Sequence, residues 1–144
     1  MIKRVVWFCV LLVGVIAQVQ AEQGCPYPSS IQFVQGHFQA ADGKGLWRSP
    51  KVDHQDFVDV FIGAVFMPGK GQERENGYLE KCIYRTGRAD VMALRYEVPA
   101  GLRSMSLTGS LFWRLASDPF GLDVYICQDS QPDNCSFTTQ RAKP

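Results

Sequence analysis

The chain has no Cys-x-x-Cys pair, no run of like charge, only two histidines and, past its first twenty or so residues, no stretch with a helical hydrophobic period. Each absence excludes something. Without a Cys-x-x-Cys pair the usual spacing of a structural zinc site is missing. Without clustered basic residues there is no general nucleic-acid surface, which works by neutralising phosphates, and a polyanionic partner is not expected. There is no Gly-x-Ser-x-Gly elbow and no Walker spacing, and Met67-Pro68-Gly69-Lys70-Gly71 is ordinary turn chemistry. His37 and His54 are the available imidazole bases, and neither sits in a known catalytic pattern. No motif for a cofactor or a metal is present, and no internal repeat or low-complexity linker divides the chain.

What is present begins with Lys3 and Arg4, the apolar run Val5 to Ala17 and the small-residue site Val19-Gln20-Ala21. This is the pattern of a secretory signal peptide over residues 1–21. The uninterrupted apolar run is shorter than the roughly 20 residues a bilayer span needs. Neither Cys9 nor Cys25 is preceded by a lipobox, so no membrane insertion is expected after cleavage. Residues 22–144 then form a single β-rich domain. Losing Lys3 and Arg4 takes the 15 basic side chains to 13, against 14 acidic ones, so the remaining charge is close to neutral.

Cleavage also removes Cys9 and leaves Cys25, Cys82, Cys127 and Cys135, an even number in an exported chain. Disulfides are the reading that suits an oxidising compartment. Four cysteines allow three connectivities, among which sequence alone does not choose. The preferred set joins Cys127 to Cys135 across a short turn and Cys25 to Cys82, tying the N-terminus to a central hairpin. That hairpin runs from Tyr78 to Val98 and turns at Thr86-Gly87-Arg88-Ala89-Asp90. Its second arm alternates Met92, Leu94, Tyr96 and Val98 against Val91, Ala93, Arg95 and Glu97, the period of a half-buried strand. Placing Tyr84 opposite Met92 and Cys82 opposite Leu94 continues the apolar face through Tyr78.

Other strands are expected at Ile31 to Gln39 with a bulge at Gly36, at Leu46 to Arg48 after an Asp42-Gly43 turn, and at Phe57 to Phe66 with Val58, Val60, Ile62, Ala64 and Phe66 on one face. A long alternating run follows, with Met105, Leu107, Gly109, Leu111, Trp113 and Leu115 aligned. Leu122 to Cys127 aligns Leu122, Val124 and Ile126, and Cys135 to Thr139 closes the chain. The loop Gln72 to Gly77 reads as mobile, and the tail from Gln140 as frayed. About seven or eight short strands with regular turns indicate an all-β, disulfide-stapled antiparallel sandwich or small barrel.

Two clusters hold candidate chemistry. Asp53, His54 and Asp56 offer an imidazole among carboxylates, the material of acid/base catalysis, although an extended backbone would not align them. The second is a set of aromatic–arginine neighbours: Trp47-Arg48, Tyr84-Arg85, Arg95-Tyr96 and Trp113-Arg114. Successive strand residues face opposite ways, so burying the aromatics turns the arginines outward. Arg85, Arg95 and Arg114 are then candidate contacts for a protein partner, arginine being favoured at interface hot spots. Asn134-Cys135-Ser136 matches a glycosylation sequon, but a bridged middle cysteine makes it a structural turn.

The signal segment, Cys25-Pro26-Tyr27-Pro28, Leu79-Glu80-Lys81-Cys82-Ile83-Tyr84 and Val124-Tyr125-Ile126-Cys127 together resemble a family of small exported proteobacterial proteins whose domain has no assigned function. The resemblance implies a periplasmic or secreted bacterial location and a cysteine-anchored β fold, and it transfers no catalytic residue. The expectation is an exported, non-enzymatic protein that binds another protein, of which an inhibitor or immunity-type protein is the sharper form. The alternatives are an envelope hydrolase acting on glycan or peptide through Asp53, His54 and Asp56, and a structural or adhesive subunit.

Overall fold

The computed structural model describes residues 22–42, 45–98, 101–107 and 111–141. The expected signal segment, the Gly43-Lys44 turn and Gly109 lie outside them. The strands are β1 (Glu22–Gln23), β2 (Gln32–Val34), β3 (His37–Asp42), β4 (Gly45–Arg48), β5 (Val58–Met67), β6 (Tyr78–Thr86), β7 (Val91–Glu97), β8 (Leu102–Leu107), β9 (Trp113–Ser117), β10 (Asp123–Cys127) and β11 (Phe137–Arg141). They form two antiparallel sheets, one of eight strands in the order β2-β3-β4-β7-β6-β5-β10-β9 and one of three in the order β1-β11-β8. The fold is all-β as expected, and it is an open sandwich rather than a closed barrel.

The β6–β7 hairpin sits inside the larger sheet with the expected register, Tyr84 opposite Met92 and Cys82 opposite Leu94. Its turn is held by Thr86 N–H donating to the Asp90 carbonyl (2.8 Å) and Ala89 N–H donating to the Thr86 carbonyl (2.9 Å). Gly87 lets the Phe57 ring pack close against the turn, where an added Cβ would lie 2.4 Å from it. Phe66, Tyr84, Leu94 and Trp47 are fully buried on the inner face of this sheet, and Met105, Leu107 and Phe137 meet them from the smaller one. The Trp47 and Phe137 rings approach edge-on at 6.3 Å, as do Phe66 and Trp113 at 6.1 Å. Trp113 also donates its indole N–H to the Ser136 carbonyl (2.9 Å), so a bulky apolar group is buried with its polar atom satisfied. Each such side chain contributes about 1.5–3 kcal/mol by leaving water.

The disulfides are Cys25–Cys82 and Cys127–Cys135, the preferred pairing. Ala64 of β5 is register partner to both Cys82 and Cys127, so the two bridges rise from one transverse row with a small residue between them. Each bridge runs from the larger sheet to a segment bordering the smaller one: Cys25 follows β1, and Cys135 precedes β11. The staples therefore fasten one layer of the sandwich to the other. Two disulfides suit an oxidising, extracytoplasmic environment. Among the described residues no helix is long and apolar enough to cross a membrane.

Several expectations are corrected. Ile31 to Gln39 is not one bulged strand but the β2–β3 hairpin, reversed at Gln35 (φ 50°) and Gly36 (φ 83°). The run from Met105 to Leu115 is two strands in different sheets, β8 and β9, and Leu111 between them is almost fully exposed. The alternation was real, but it continued across a change of layer. In β5 the register with β6 shifts between Val58 and Val60, Phe61 and Gly63, and Val65 and Phe66. Phe61 thereby turns inward and Val60 outward. The last shift also leaves Leu79 buried and Tyr78 exposed, so the apolar face does not pass through Tyr78. Val98 is exposed at the end of the hairpin. In β10 the residues packed in the core are Tyr125 and Cys127, not Leu122 and Ile126. The Gln72–Gly77 loop is tethered, with Arg74 stacked 5.1 Å over the Tyr125 ring and Gly77 bridged to Met105. Gln140 and Arg141 are paired in β11 rather than frayed.

Candidate functional site

In all four aromatic–arginine pairs the aromatic is buried and the arginine exposed. The driving force is the ring's large apolar area set against a guanidinium that must keep its hydration. Arg48, Arg85, Arg95 and Arg114 consequently share the outer face of the eight-stranded sheet. The register aligns most of them in a transverse row. Arg48 of β4 is opposite Arg95 of β7. The β6–β7 pairing ends at Cys82–Leu94, and Lys81, the residue before Cys82, lies on the outer face of β6. Lys81 is opposite Val65, Val65 opposite Ile126, and Ile126 opposite Arg114.

The row crosses six strands, roughly 24 Å at the usual interstrand spacing. Its centre is apolar, Val65 and Ile126, with Ile83 and Ala93 in the next row, and cations stand on both sides. Arg85 lies four residues along β6 from Lys81, about 13 Å away, level with Val91. Glu97, two residues along from Arg95, and Asp59 are exposed carboxylates at the margins. Among the described residues Arg48, Lys81, Arg85 and Arg95 make no ion pair, and Arg114 donates to the side chain of Gln128. Like charges set directly opposite on neighbouring strands destabilise a sheet. Arg48 and Arg95 do so across β4 and β7, an arrangement the fold does not need.

Arg85, Arg95 and Arg114 therefore lie on one face, with Arg114 separated from the other two by the apolar centre. Arg48 and Lys81 complete the row, and composition could not single them out. Arg48 joins through the β4–β7 pairing, and Lys81 through strand alternation from the buried Cys82.

The second cluster is built differently. Asp53 and His54 are exposed in the segment before β5, and Asp56 is turned toward the β6–β7 turn. Asp56 Oδ1 accepts the Phe57 N–H (2.8 Å) and Oδ2 the Arg88 N–H (3.3 Å). Partial burial pushes its pKa up, but hydrogen bonds from the Thr86 hydroxyl and from the Phe57 and Arg88 amides, with the Arg88 charge, outweigh this and hold it below the ordinary carboxylate range. The Asp56 carboxylate thus latches the entry of β5 to the tip of the hairpin. Lys51, Asp53, His54, Asp56, Arg88 and Asp90 line an open cleft of about 310 Å³ floored by Phe38, Val52 and Met92. The other histidine, His37, donates Nδ1–H to the Ser49 carbonyl (2.9 Å) beside β3 and takes no part in the cleft. Among the described residues no group of three histidine, cysteine or acidic side chains is placed to hold a metal ion.

No curated protein and no solved structure matches the chain. Its residues 20–138 match the family described as "Protein of unknown function (DUF3757)", and the chain belongs to that family.

Proposed function

We propose that this chain is an exported, non-enzymatic binding protein of the bacterial envelope or extracellular space, and that it docks a partner protein through the outer face of its larger sheet. The observation that carries this reading is the Arg48–Arg95 pair. Two arginines stand directly opposite each other on β4 and β7 at a cost to the sheet, with Lys81 and Arg85 on the same face and an apolar centre of the kind found in interface cores beside them. Such breaches of local rules concentrate at functional sites. The partner it fits presents carboxylates around an apolar patch. A protein that inhibits or neutralises an envelope hydrolase or toxin is one form of this function.

The test is capture from native periplasmic extract and culture supernatant with oxidised residues 22–144 as bait. One stoichiometric protein should be retained by the wild type, lost with Arg95→Glu and weakened by rising salt. Equal retention by Arg95→Glu and by Arg85→Ala/Arg95→Ala would refute the assignment of this face.

The cleft beside His54 favours a second reading, an envelope hydrolase acting on glycan or peptide. Under it, His54→Ala should abolish turnover of a glycan or peptide library while Arg95→Glu leaves turnover intact. The engagement of Asp56 in the hairpin latch counts against this alternative, since a carboxylate held by three donors is a poor proton shuttle.

A further inference from the structure

Strand β9 ends the larger sheet, and among the described residues it pairs with β10 alone. An uncovered edge offers a row of unmade backbone hydrogen bonds, which proteins usually blunt with charge, proline or brevity. Here the surroundings are apolar instead. Leu111 and Phe120 are 98% and 89% exposed, and Leu115 and Leu122 also reach solvent.

The ladder fixes which backbone groups face outward. Asp118 N–H donates to the Leu122 carbonyl (2.8 Å), continuing the β9–β10 pairing beyond Ser117. Alternation then directs the N–H and C=O groups of Asp118, Ala116 and Arg114 toward β10. Those of Trp113, Leu115 and Ser117 point to the open side.

The side chains of the same segment are self-complementary. Reading every second residue along the outer face of β9 to the start of the next turn gives Arg114, Ala116 and Asp118, with Phe112 and Phe120 in the flanking turns. This series is symmetric about Ala116, with a cation on one side and an anion on the other. We propose that β9 is a homodimer edge, where two copies pair antiparallel about a two-fold axis through Ala116. Arg114 of each copy then faces Asp118 of the other. Leu115 and Ser117, whose backbone groups point outward, sit opposite one another twice and exchange four hydrogen bonds. Neighbouring registers lack this match: an axis at Arg114 sets the two guanidinium groups against each other, and one at Leu115 leaves them diagonal without their anions. Asp118 Oδ1 is already held by the Phe120 and Leu122 amides (2.9 and 2.8 Å), so its carboxylate is oriented before the second copy arrives. The self-complementary charge selects a second copy over an unrelated strand. The proposal is independent of the partner-docking reading, because it is read from mass and not from capture.

The experiment is sedimentation velocity and light scattering on oxidised residues 22–144 from 1 to 500 μM, a range chosen to bracket about micromolar to millimolar affinity. A concentration-dependent rise to twice the monomer mass is expected. Ser117→Pro removes an outward N–H without touching the β10 ladder, and Arg114→Asp sets like charges opposite each other. Each should raise the dissociation constant at least tenfold while leaving the near-ultraviolet circular dichroism unchanged. Independently of affinity, Ala116→Cys should cross-link to a covalent dimer under mild oxidation, because paired Cα atoms at the axis lie about 4.5 Å apart, within disulfide reach. A monomer at every concentration with no Ala116→Cys cross-link would overturn the proposal. So would a dimer indifferent to both other variants, or an edge that instead captures a strand from a different protein.

Discussion

The two faces of the eight-stranded sheet are made by the same strands and obey opposite rules. On the inner face Tyr84, Leu94, Trp47 and Phe66 exclude water, and polar atoms there have partners, as where the Tyr84 hydroxyl donates to the Pro26 carbonyl (2.6 Å). Burial also pushes the Tyr84 phenol well above its ordinary pKa, so it stays a neutral donor at any physiological pH. On the outer face Arg48 stands opposite Arg95, and among the described residues neither makes an ion pair. The first arrangement lowers the free energy of the fold, while the second raises it slightly and leaves interactions to be made with something else. Substitutions should therefore separate the faces cleanly, stability on one side and recognition on the other.

The largest expected effect is on the inner face. Cys25→Ala/Cys82→Ala opens a loop with a sequence separation of 57 and should remove about 4 kcal/mol in the chain-entropy account, near the whole stability of a small domain. Cys127→Ala/Cys135→Ala opens a loop of separation 8 and should remove about 2.5 kcal/mol. Urea titration of each pair would show whether the order holds. Phe66→Ala should cost about 3–5 kcal/mol by the same assay, because a fully buried ring would leave a cavity under Trp113. On the outer face, Arg85→Ala and Arg95→Ala should each change stability by less than about 0.5 kcal/mol while reducing partner capture. A loss of several kcal/mol at either arginine would show that the row is structural and collapse the distinction.

Asp56 supplies the finest test, lying at the boundary between the faces. Its folded-state pKa is depressed, so the stability it contributes is present above the ordinary carboxylate pKa and is lost as pH falls through the folded value. Wild type should lose stability on acidification in that window, and Asp56→Asn should show a flatter profile there.

Much of this could be read from the residues because alternation is local. The hairpin register and the outward turn of Arg85, Arg95 and Arg114 follow from a two-residue period and a few turn signals, whereas the choice among three disulfide pairings does not. What could not be read depends on events that alternation does not record. The shifts within β5 invert faces in mid-strand, so Phe61 replaces Val60 in the core. The passage from β8 to β9 keeps the apolar period while changing sheets, so Met105 and Trp113 seemed parts of one element. The site shows the same limit. Composition gave a near-neutral chain, and net charge carries no information on where cations gather, so the neighbourhood of Arg48, Arg95 and Lys81 emerged only with the pairing of β4 to β7 and β7 to β6.

Glu22 of β1 pairs with Thr138 of β11, so one of the first strands of the domain is completed by one of the last. A ribosome makes β1 long before β11. Until residues 137–141 have been synthesised, the smaller sheet has no middle strand, and Trp47 lacks the Phe137 ring that packs against it. Such distant pairing folds slowly and leaves sticky intermediates. The domain should therefore remain open until its last strand is available, which makes the β11 segment a timing device as well as a structural one.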